Sequence, residues 1–462
     1  MQIFTLNHSY SSIKHYSAKL GFALLLSLLG VSAQAQQQTQ VKHLDWTRNA
    51  TIYEANIRQH SKEGSFKQFE AYLPELKKMG VKIIWVMPIN PIGEKNRKGS
   101  LGSYYAVRDY LGINPEFGNA NDFHHLVKAI HQLGMYVIID WVANHTAWDH
   151  PWAKEHPEYY KKDALGNFVP PVPDWMDVIA LDYHQAALRK AMIESMRYWL
   201  TEYDIDGFRC DVAAMVPTDF WNQARAELDQ TKKIFMLAEA LEWDLQEKAF
   251  DMTYGWQFKD LFNDIAQGKR SVKDLDAYLA GEEKKYHADA YRMLHITNHD
   301  LNSWEGTEFE RLGLATESFL VLSNLIKGMP LLYSGQEAGN QKRLDFFERD
   351  PIEWQAHPFK QLYTQLFQLK QKNQALWNGV AGGALARLSS DHDEQIFAFQ
   401  REKNGQRVIG IFNLSAQEQS VQFAQAVTID GLKPLLKDGN KNQGKTLQKI
   451  HLKPWEYRVY SN

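Results

Sequence analysis

Eight short runs rich in β-branched and aromatic residues recur between residues 51 and 334, and amphipathic stretches separate most of them. The runs cover residues 51–57, 81–88, 135–142, 207–212, 234–240, 252–256, 291–299 and 329–334. Two of the intervening helical patterns, 66–79 and 121–133, stop at a glycine, as helices commonly do. Eight successive strand–helix units predict an α/β fold, a closed parallel (β/α)8 TIM barrel. A doubly wound open sheet is the structural alternative.

One interval in this pattern is too long for a simple strand–helix unit. Asp140 and Asp211 end successive predicted strands but lie 71 residues apart, where such a unit takes about 30 residues on average. The extra chain predicts a small irregular excursion over residues 147–181, after the third strand. The barrel itself is then expected to span residues 41–146 and 182–384.

The hydrophobic pattern changes after residue 384 to short alternating runs, such as 395–399 and 407–412, separated by turn residues. This pattern predicts a separate C-terminal antiparallel β-sandwich domain over residues 385–462. The string 439–446 matches a phosphate-binding loop, but an alternating strand pattern follows it instead of a helix. We therefore interpret it as a polar hairpin turn.

The first 35 residues have the form of a signal peptide. Lys14 and Lys19 precede an apolar stretch of about a dozen residues. Ala33 and Ala35 are the two small residues of a small-x-small cleavage site. The stretch is shorter than the ~20 residues that a spanning helix needs. We expect cleavage after Ala35 and export to the periplasm or the medium, with no membrane attachment afterwards. A buried N-terminal helix is the alternative.

Composition excludes several classes of protein. Apolar residues make up 44% of the chain and charged residues 23%, which is ordinary for a globular protein and not for a disordered one. The net charge of −3 argues against nucleic acid or an anionic membrane as partner. Cys210 is the only cysteine, so no intramolecular disulfide can form.

Four of the β-prone segments end at or near a carboxylate: Asp140, Asp211, Glu239 and Asp300. The carboxyl ends of barrel strands meet on one face, so these side chains are expected to lie together. Cleavage of an acetal needs one acid to protonate the leaving oxygen and one group to manage positive charge at the anomeric carbon. The pattern therefore predicts a glycoside hydrolase.

Residue types suggest different roles for these acids. Asp211 is the predicted nucleophile, because Arg209 lies two residues before it on the same face of the strand and favours its ionised form. Glu239 is the predicted acid/base, since its apolar neighbours raise its pKa. Asp140 is expected to orient Arg209 rather than to react. A helix-cap or turn role is the alternative for each.

The sequence resembles the α-amylase family of glycoside hydrolases along nearly all of the chain that follows the signal peptide. The residues that carry the resemblance are Asp140-Trp-Val-Ala-Asn-His145, Gly207-Phe-Arg-Cys-Asp211, Glu239 and Asn298-His-Asp300, in the family's order. Segments 102–110 and 328–337 are weaker matches. The resemblance implies the family's barrel, the excursion after its third strand and its C-terminal β domain.

The resemblance also implies roles for residues around the carboxylates. Asp300 is the family's third carboxylate, which holds sugar hydroxyls and favours distortion of the substrate. His145, His299 and Arg209 are candidate substrate-binding residues, and Tyr105 is the candidate stacking platform. Arg343, after the last strand, is a candidate supporting contact. The two histidines and the tyrosine could instead serve only in packing.

The chemistry requires no cofactor, but many members of this family bind a structural calcium ion between barrel and excursion. Asn144 fits the role of an oxygen ligand. Ala180 stands where many relatives have a ligating Asp, although Asp177 could compensate. A structural calcium ion is therefore possible rather than required.

The resulting hypothesis is a secreted retaining hydrolase of α-1,4-glucosidic bonds in starch, glycogen or maltodextrins. A glucanotransferase, or a glucosidase specific for α-1,6 bonds or short oligosaccharides, is the alternative, since fold and carboxylates are common to both. A non-catalytic glucan-binding protein is a third possibility. The sequence leaves open chain-length preference, endo or exo action and oligomeric state.

Overall fold

The computed structural model of the protein describes residues 41–436 and 445–462. The predicted signal peptide and residues 439–444 of the predicted hairpin turn lie outside these residues. No helix in the described part of the chain is long and apolar enough to cross a membrane.

Ten strands precede the C-terminal region within the described residues. They are β1 (Ile52–Ala55), β2 (Ile83–Val86), β3 (Tyr136–Trp141), β4 (His145–Ala147), β5 (Val178–Ala180), β6 (Gly207–Cys210), β7 (Phe235–Ala238), β8 (Met252–Tyr254), β9 (Tyr291–Leu294) and β10 (Met329–Tyr333). Eight of them close into a barrel in the order β1-β2-β3-β6-β7-β8-β9-β10, with β10 paired back to β1. All eight pairings are parallel.

The barrel confirms the predicted fold class, and each of the eight predicted runs contains one of its strands. The observed strands are shorter than the predicted runs. The largest difference is β9, which ends at Leu294, whereas the predicted run continues to His299. Residues 295–299 are buried but lie outside the sheet, so they form an interior loop rather than a continuation of the strand.

The barrel interior is filled by alternate residues of the strands, because successive side chains of a strand point to opposite faces. These inward side chains form one buried cluster: Ala50, Ile52, Ile83, Trp85, Ile138, Phe235, Leu237, Met252, Tyr254, Tyr291, Met293, Met329 and Leu331. The outward residues, such as Tyr53, Ile84 and Ile139, join the larger core beneath the surrounding helices.

The helices surround the barrel. The α-helices are α1 (Ile57–His60), α2 (Phe66–Glu70), α3 (Leu73–Met79), α4 (Ala120–Gln132), α5 (Pro151–Glu155), α6 (Ala186–Glu202), α7 (Thr218–Thr231), α8 (Leu245–Lys248), α9 (Trp256–Ala266), α10 (Val272–Lys285), α11 (Glu308–Leu312), α12 (Thr316–Leu325) and α13 (Pro358–Lys372). Gly80 ends α3 with φ 98°, a left-handed conformation that glycine adopts readily. The helix predicted over 66–79 is divided into α2 and α3.

The chain between β3 and β6 forms the excursion. Its two short strands, β4 and β5, pair antiparallel, with His145 opposite Ala180. The chain between them contains the single-turn helix α5 and is otherwise largely irregular. This pairing returns the end of the excursion to the rim of the barrel, next to the residues that follow β3.

The C-terminal region contains β11 (Leu385–Arg387), β12 (Ile396–Lys403), β13 (Gln406–Asn413), β14 (Gln419–Thr428), β15 (Lys433–Leu436), β16 (Thr446–Leu452) and β17 (Tyr457–Ser461). An antiparallel sheet in the order β11-β12-β13-β17-β15 faces a second sheet of β14 and β16. One buried cluster contains residues from both, including Ile409, Ile411, Val421 and Leu452. The two layers agree with the predicted antiparallel β domain.

Candidate active site

Arg209 lies at the centre of the candidate site. It is the third residue of β6, its side chain points into the barrel, and it is completely buried. Its Nη1 donates to Asp140 Oδ1 at 2.9 Å and to Asp211 Oδ1 at 2.8 Å, and its Nη2 lies 2.9 Å from Glu239 Oε2. Three of the four predicted strand-end acids therefore converge on one guanidinium.

Close strand packing explains how β6 delivers these groups. Gly207 begins β6, and a Cβ atom at this position would lie 1.8 Å from the backbone oxygen of Phe235 on β7. Only glycine permits this approach. Arg209 pairs with Leu237 across the two strands, so that Asp211 and Glu239 leave neighbouring strand ends side by side.

Asp140 is buried beneath the pocket and is fully engaged. Besides Arg209, Trp85 Nε1 donates to its Oδ2 at 3.1 Å and the Tyr105 hydroxyl donates to the same oxygen at 3.2 Å. Burial raises the pKa of the Asp140 carboxyl, while Arg209 opposes that rise. These contacts place Asp140 behind Arg209, and its supporting role stays a prediction.

Asp211 and Glu239 both line the pocket. Burial raises the pKa of each carboxyl above its ordinary value, and Arg209 lowers it by a smaller amount. The expected effect of Arg209 on Asp211 is present, but burial outweighs it. For Glu239 the raised pKa agrees with the direction predicted from its apolar neighbours.

Val212 supports Glu239 through its backbone. Its N–H donates to Glu239 Oε2 at 2.8 Å. Val212 has φ 37° and ψ 46°, a left-handed conformation that is rare for a β-branched residue. Strained backbone of this kind is found at sites where the surrounding structure imposes a geometry. No sequence pattern pointed to this residue.

His299 connects the third carboxylate to the barrel. Its Nε2 lies 3.3 Å from Asp300 Oδ2 and 2.8 Å from the Tyr105 hydroxyl oxygen, and its Nδ1 lies 2.5 Å from Glu54 Oε1. Burial by itself would lower the pKa of His299. The negative charges of Asp300 and Glu54 have a larger combined effect and raise the pKa to about 9. The imidazole is therefore a cation at neutral pH.

Glu54 was missed in the sequence, although a signal for it exists. It is the one charged residue of β1 and is fully buried. A charged residue inside an apolar run of a barrel strand needs a buried partner, because an unpaired buried charge is costly. The partner, His299, is 245 residues away in the sequence and could not be assigned without the fold.

These side chains surround a pocket of about 250 Å³ at the carboxyl ends of the strands. It is lined by Lys98, Ser103, Tyr105, His145, Trp175, Asp177, Val178, Asp211, Val212, Glu239, His299, Asp300, Trp304, Phe346 and Phe347. The structure thus brings together the predicted residues Tyr105, His145, His299 and the three carboxylates. Burial lowers the pKa of His145 to about 4, so this second imidazole is neutral.

Arg343 does not line this pocket. Its guanidinium forms an ion pair with Glu310, with Nε 2.9 Å from Glu310 Oε2, and its side chain is half exposed. The structure therefore places it apart from the other predicted site residues.

The groups around Asn144 are engaged by one another. Asn144 Nδ2 donates to His145 Nδ1 at 3.2 Å and lies 3.9 Å from the sulfur of Met215, which is a poor ligand for calcium. Asp177 pairs with Lys98 Nζ at 3.1 Å. Within residues 41–436 and 445–462, no three His, Cys, Asp or Glu side chains are grouped as metal ligands would be.

Tyrosine hydroxyls satisfy the backbone oxygens in this region. The Tyr110 hydroxyl donates to the oxygen of Val142 at 2.7 Å, and the Tyr183 hydroxyl donates to that of Ala143 at 2.7 Å. The oxygen of Asn144 accepts the N–H of Leu181 at 3.1 Å. The residues here do not fit a structural calcium ion of the expected kind.

A closed barrel of eight parallel strands, with several carboxylates gathered in one pocket at the strand ends, defines a class of TIM-barrel enzymes that includes many glycosidases. Comparison with known families is consistent with this class. The α-amylase catalytic-domain family matches residues 59–175 and 173–406, and the chain belongs to this family. The protein is an α-amylase-type glycosidase.

Individual relatives support the same conclusion. A structure of the maltogenic α-amylase AmyB from Thermotoga neapolitana is 30% identical, with a TM-score of 0.79, and the match covers 89% of this chain and 98% of that one. An α-amylase from Lactobacillus plantarum is also 30% identical, with a TM-score of 0.78, covering 90% and 99%. The α-amylase MalA of Haloarcula japonica is 26% identical over 75% of this chain, which spans about half (52%) of that relative.

Proposed function

We propose that the protein hydrolyses α-1,4-glucosidic bonds of starch, glycogen or maltodextrins with retention of the anomeric configuration. The observation that carries this proposal is that Asp211 and Glu239 contact neighbouring nitrogens of the one Arg209 guanidinium. Two carboxyls held by neighbouring nitrogens of one guanidinium favour the short separation of retaining enzymes, ~5–5.5 Å, over the ~6.5–9.5 Å of inverting ones.

In the proposed mechanism, Asp211 attacks the anomeric carbon while Glu239 gives its proton to the glycosidic oxygen. The carbon–oxygen bond to the leaving sugar breaks, and a bond to the Asp211 carboxylate forms. Water then attacks the same carbon, Glu239 takes a proton from it, and Asp211 leaves as a carboxylate. Burial, which raises the pKa of Glu239, helps it to hold the first proton.

The other pocket residues are proposed to bind the sugar at the reacting carbon. Asp300 and the His299 cation are placed to hold its hydroxyls, and the neutral His145 can donate a hydrogen bond. Tyr105 is proposed to stack against the sugar ring. Its own ring lies beside His299, with the two ring centroids 5.5 Å apart. Arg209, which is buried and contacts three carboxylates and the Tyr254 hydroxyl, acts through these groups and is a positioning residue.

A glucanotransferase, or a glucosidase of α-1,6 bonds or short oligosaccharides, is the second candidate, because the same carboxylates serve these reactions. One feature favours the binding of a further sugar, as transfer requires. Trp304 lines the pocket with 55% of its surface exposed and offers a sugar ring an apolar surface. Products longer than the substrate would identify this activity.

Product analysis on soluble starch and maltoheptaose tests the proposal, with Asp211→Asn and the exposed control Asp163→Asn beside the wild type. We expect short maltooligosaccharides of α configuration, seen by NMR before mutarotation, from the wild type and the control only. β-Configured products would contradict the retaining mechanism. An active Asp211→Asn variant would exclude Asp211 as nucleophile, and an inactive wild type would reject the proposed substrate class.

We further propose that the protein is exported after cleavage following Ala35. The support is the basic, apolar and small-residue order of residues 1–35. N-terminal sequencing of the protein from its native host tests this proposal. We expect the mature chain to begin at Gln36, and a chain that retains its first 35 residues would contradict export by this route.

A further inference from the structure

The chain that follows β2 crosses one end of the catalytic pocket. We call residues 93–103 the strap. The pocket has two side walls: the end of the excursion, with Trp175 and Asp177, and the aromatic wall of Trp304, Phe346 and Phe347. The strap contributes Lys98 and Ser103 to the pocket lining and contacts the chain of both walls.

On the excursion side, Lys98 makes the contact at the pocket. Its Nζ lies 3.1 Å from Asp177 Oδ1 and donates to the backbone oxygen of Asp174 at 3.0 Å. The Asp177 side chain is only 7% exposed, so Lys98 reaches into the wall rather than lying on it. A second contact, from the N–H of Glu94 to Asp149 Oδ2 at 2.9 Å, fixes the start of the strap.

On the aromatic side, the strap is fixed by its backbone. The N–H of Ser100 donates to Glu348 Oε1 at 2.6 Å, and that of Leu101 donates to the oxygen of Phe347 at 3.1 Å. Gly99 has φ 62°, and a Cβ atom there would lie 2.5 Å from Cβ of Phe347. The strap is therefore pressed against the aromatic wall at a position that only glycine fits.

The barrel order shows which end of the substrate meets the strap. The strap follows β2, and Glu239 follows β7, which is three strands further round the ring of eight. Glu239 protonates the leaving oxygen in the proposed mechanism, so the leaving sugars extend on its side. In this mechanism the strap, at a different strand end, meets the side of the reacting sugar that leads to the non-reducing end of the glucan.

We propose that the strap, closed onto the excursion by Lys98 and Asp177, ends the pocket at the non-reducing side and makes the enzyme exo-acting. This inference rests on the proposed function and specifies the substrate end that the same site accepts. A pocket of about 250 Å³ holds a short chain end, and a glucan that continued past the strap would have to displace the Lys98 contact. Lys98 and Asp177 are thus residues that determine specificity.

The test uses maltoheptaose and the same sugar with its non-reducing glucose capped by a 4,6-O-ethylidene group. We expect the wild type to cleave the uncapped sugar at least about tenfold faster, which corresponds to ~1.4 kcal/mol. In Lys98→Ala, and independently in Asp177→Asn, the ratio should fall at least about threefold through faster cleavage of the capped sugar. Thermal melting confirms that the variants are folded.

Lys95→Ala is the matched control, because Lys95 belongs to the same strap but its Nζ lies over the ring of Trp148, 5.2 Å from the ring centroid, and does not contact Asp177. It should keep the wild-type ratio. Equal cleavage of capped and uncapped sugar by the wild type would overturn exo action. An unchanged ratio in both folded variants would overturn the role of Lys98 and Asp177. Cleavage of neither sugar by the wild type would reject the proposed function itself.

Discussion

The interior of the barrel contains two regions that are built from the same strands, one apolar and one charged. The lower region is apolar, with buried side chains such as Ile52, Ile138 and Met293. The upper region, at the carboxyl ends, contains a buried arginine, several carboxylates and an imidazolium within hydrogen-bonding distance of one another. The comparison teaches that the barrel supplies a rigid apolar base, and that charges are buried only where each has a partner.

Trp85 and Tyr254 connect the two regions. Both belong to the apolar cluster, yet the Arg209 guanidinium carbon lies 4.9 Å from the ring centroid of Trp85 and 5.6 Å from that of Tyr254. Trp85 Nε1 donates to Asp140, and Arg209 Nε donates to the Tyr254 hydroxyl at 3.0 Å. Their ring faces pack against the cation and their polar atoms complete its hydrogen bonding.

The largest expected effect is a loss of catalysis in the upper region without a loss of its stability. Glu239→Gln keeps the size of the side chain but removes the proton, so kcat should fall by about 10²–10⁴-fold. The alkaline limb of the pH profile should also be lost, because in the wild type activity falls when Glu239, with its raised pKa, deprotonates. Steady-state kinetics from pH 4 to 9 measure both, and an unchanged alkaline limb would assign it to another group.

The next prediction compares the two regions directly by unfolding in urea. Arg209→Met leaves buried carboxylates without their cation and should lower the free energy of unfolding at pH 7 by about 3–5 kcal/mol. Met293→Ala, in the apolar region, should lower it by about 2–5 kcal/mol through a cavity.

The pH dependence distinguishes these two losses. Arg209 lowers the pKa of Asp140, Asp211 and Glu239, so its removal lets them take up protons at a higher pH. The loss in Arg209→Met should therefore shrink between pH 7 and pH 4, while that in Met293→Ala stays constant. Equal pH dependence in the two variants would show that the charges do not set the stability of the upper region.

The smallest expected effect concerns the rim near Asn144, where tyrosine hydroxyls donate to backbone oxygens. Tyr110→Phe and Tyr183→Phe each leave buried backbone oxygens without a donor and should lower stability by about 1–3 kcal/mol. A chelator or added calcium should leave the melting temperature of the wild type unchanged. A melting temperature that falls with chelator and recovers with calcium would contradict our reading of the Asn144 region.

Local patterns predicted much of this protein. The eight barrel strands follow from β-prone runs at regular intervals, and the convergence of Asp140, Asp211 and Glu239 follows from the rule that parallel strand ends meet on one face. The excursion was predicted from the long interval between Asp140 and Asp211. These features depend on residues close in sequence or on a general property of barrels.

Other features could not be predicted, because their partners are distant in sequence. Glu54 and His299 meet only when β1 and the end of β9 are brought round the closed ring. Arg343 was a candidate supporting contact, but its ion pair with Glu310 depends on how the loop after β10 lies against α11.

The sequence by itself determined the barrel, the family and the carboxylates at the strand ends, because periodicity and motifs are properties of short segments. Only the tertiary structure decided which groups share the Arg209 guanidinium, that tyrosine hydroxyls satisfy the backbone near Asn144, and that Lys98 reaches Asp177 across the pocket. The physical reason is that most of these contacts join groups from different strands and loops, whose distances are set by closure of the barrel and by the packing of the excursion on its rim.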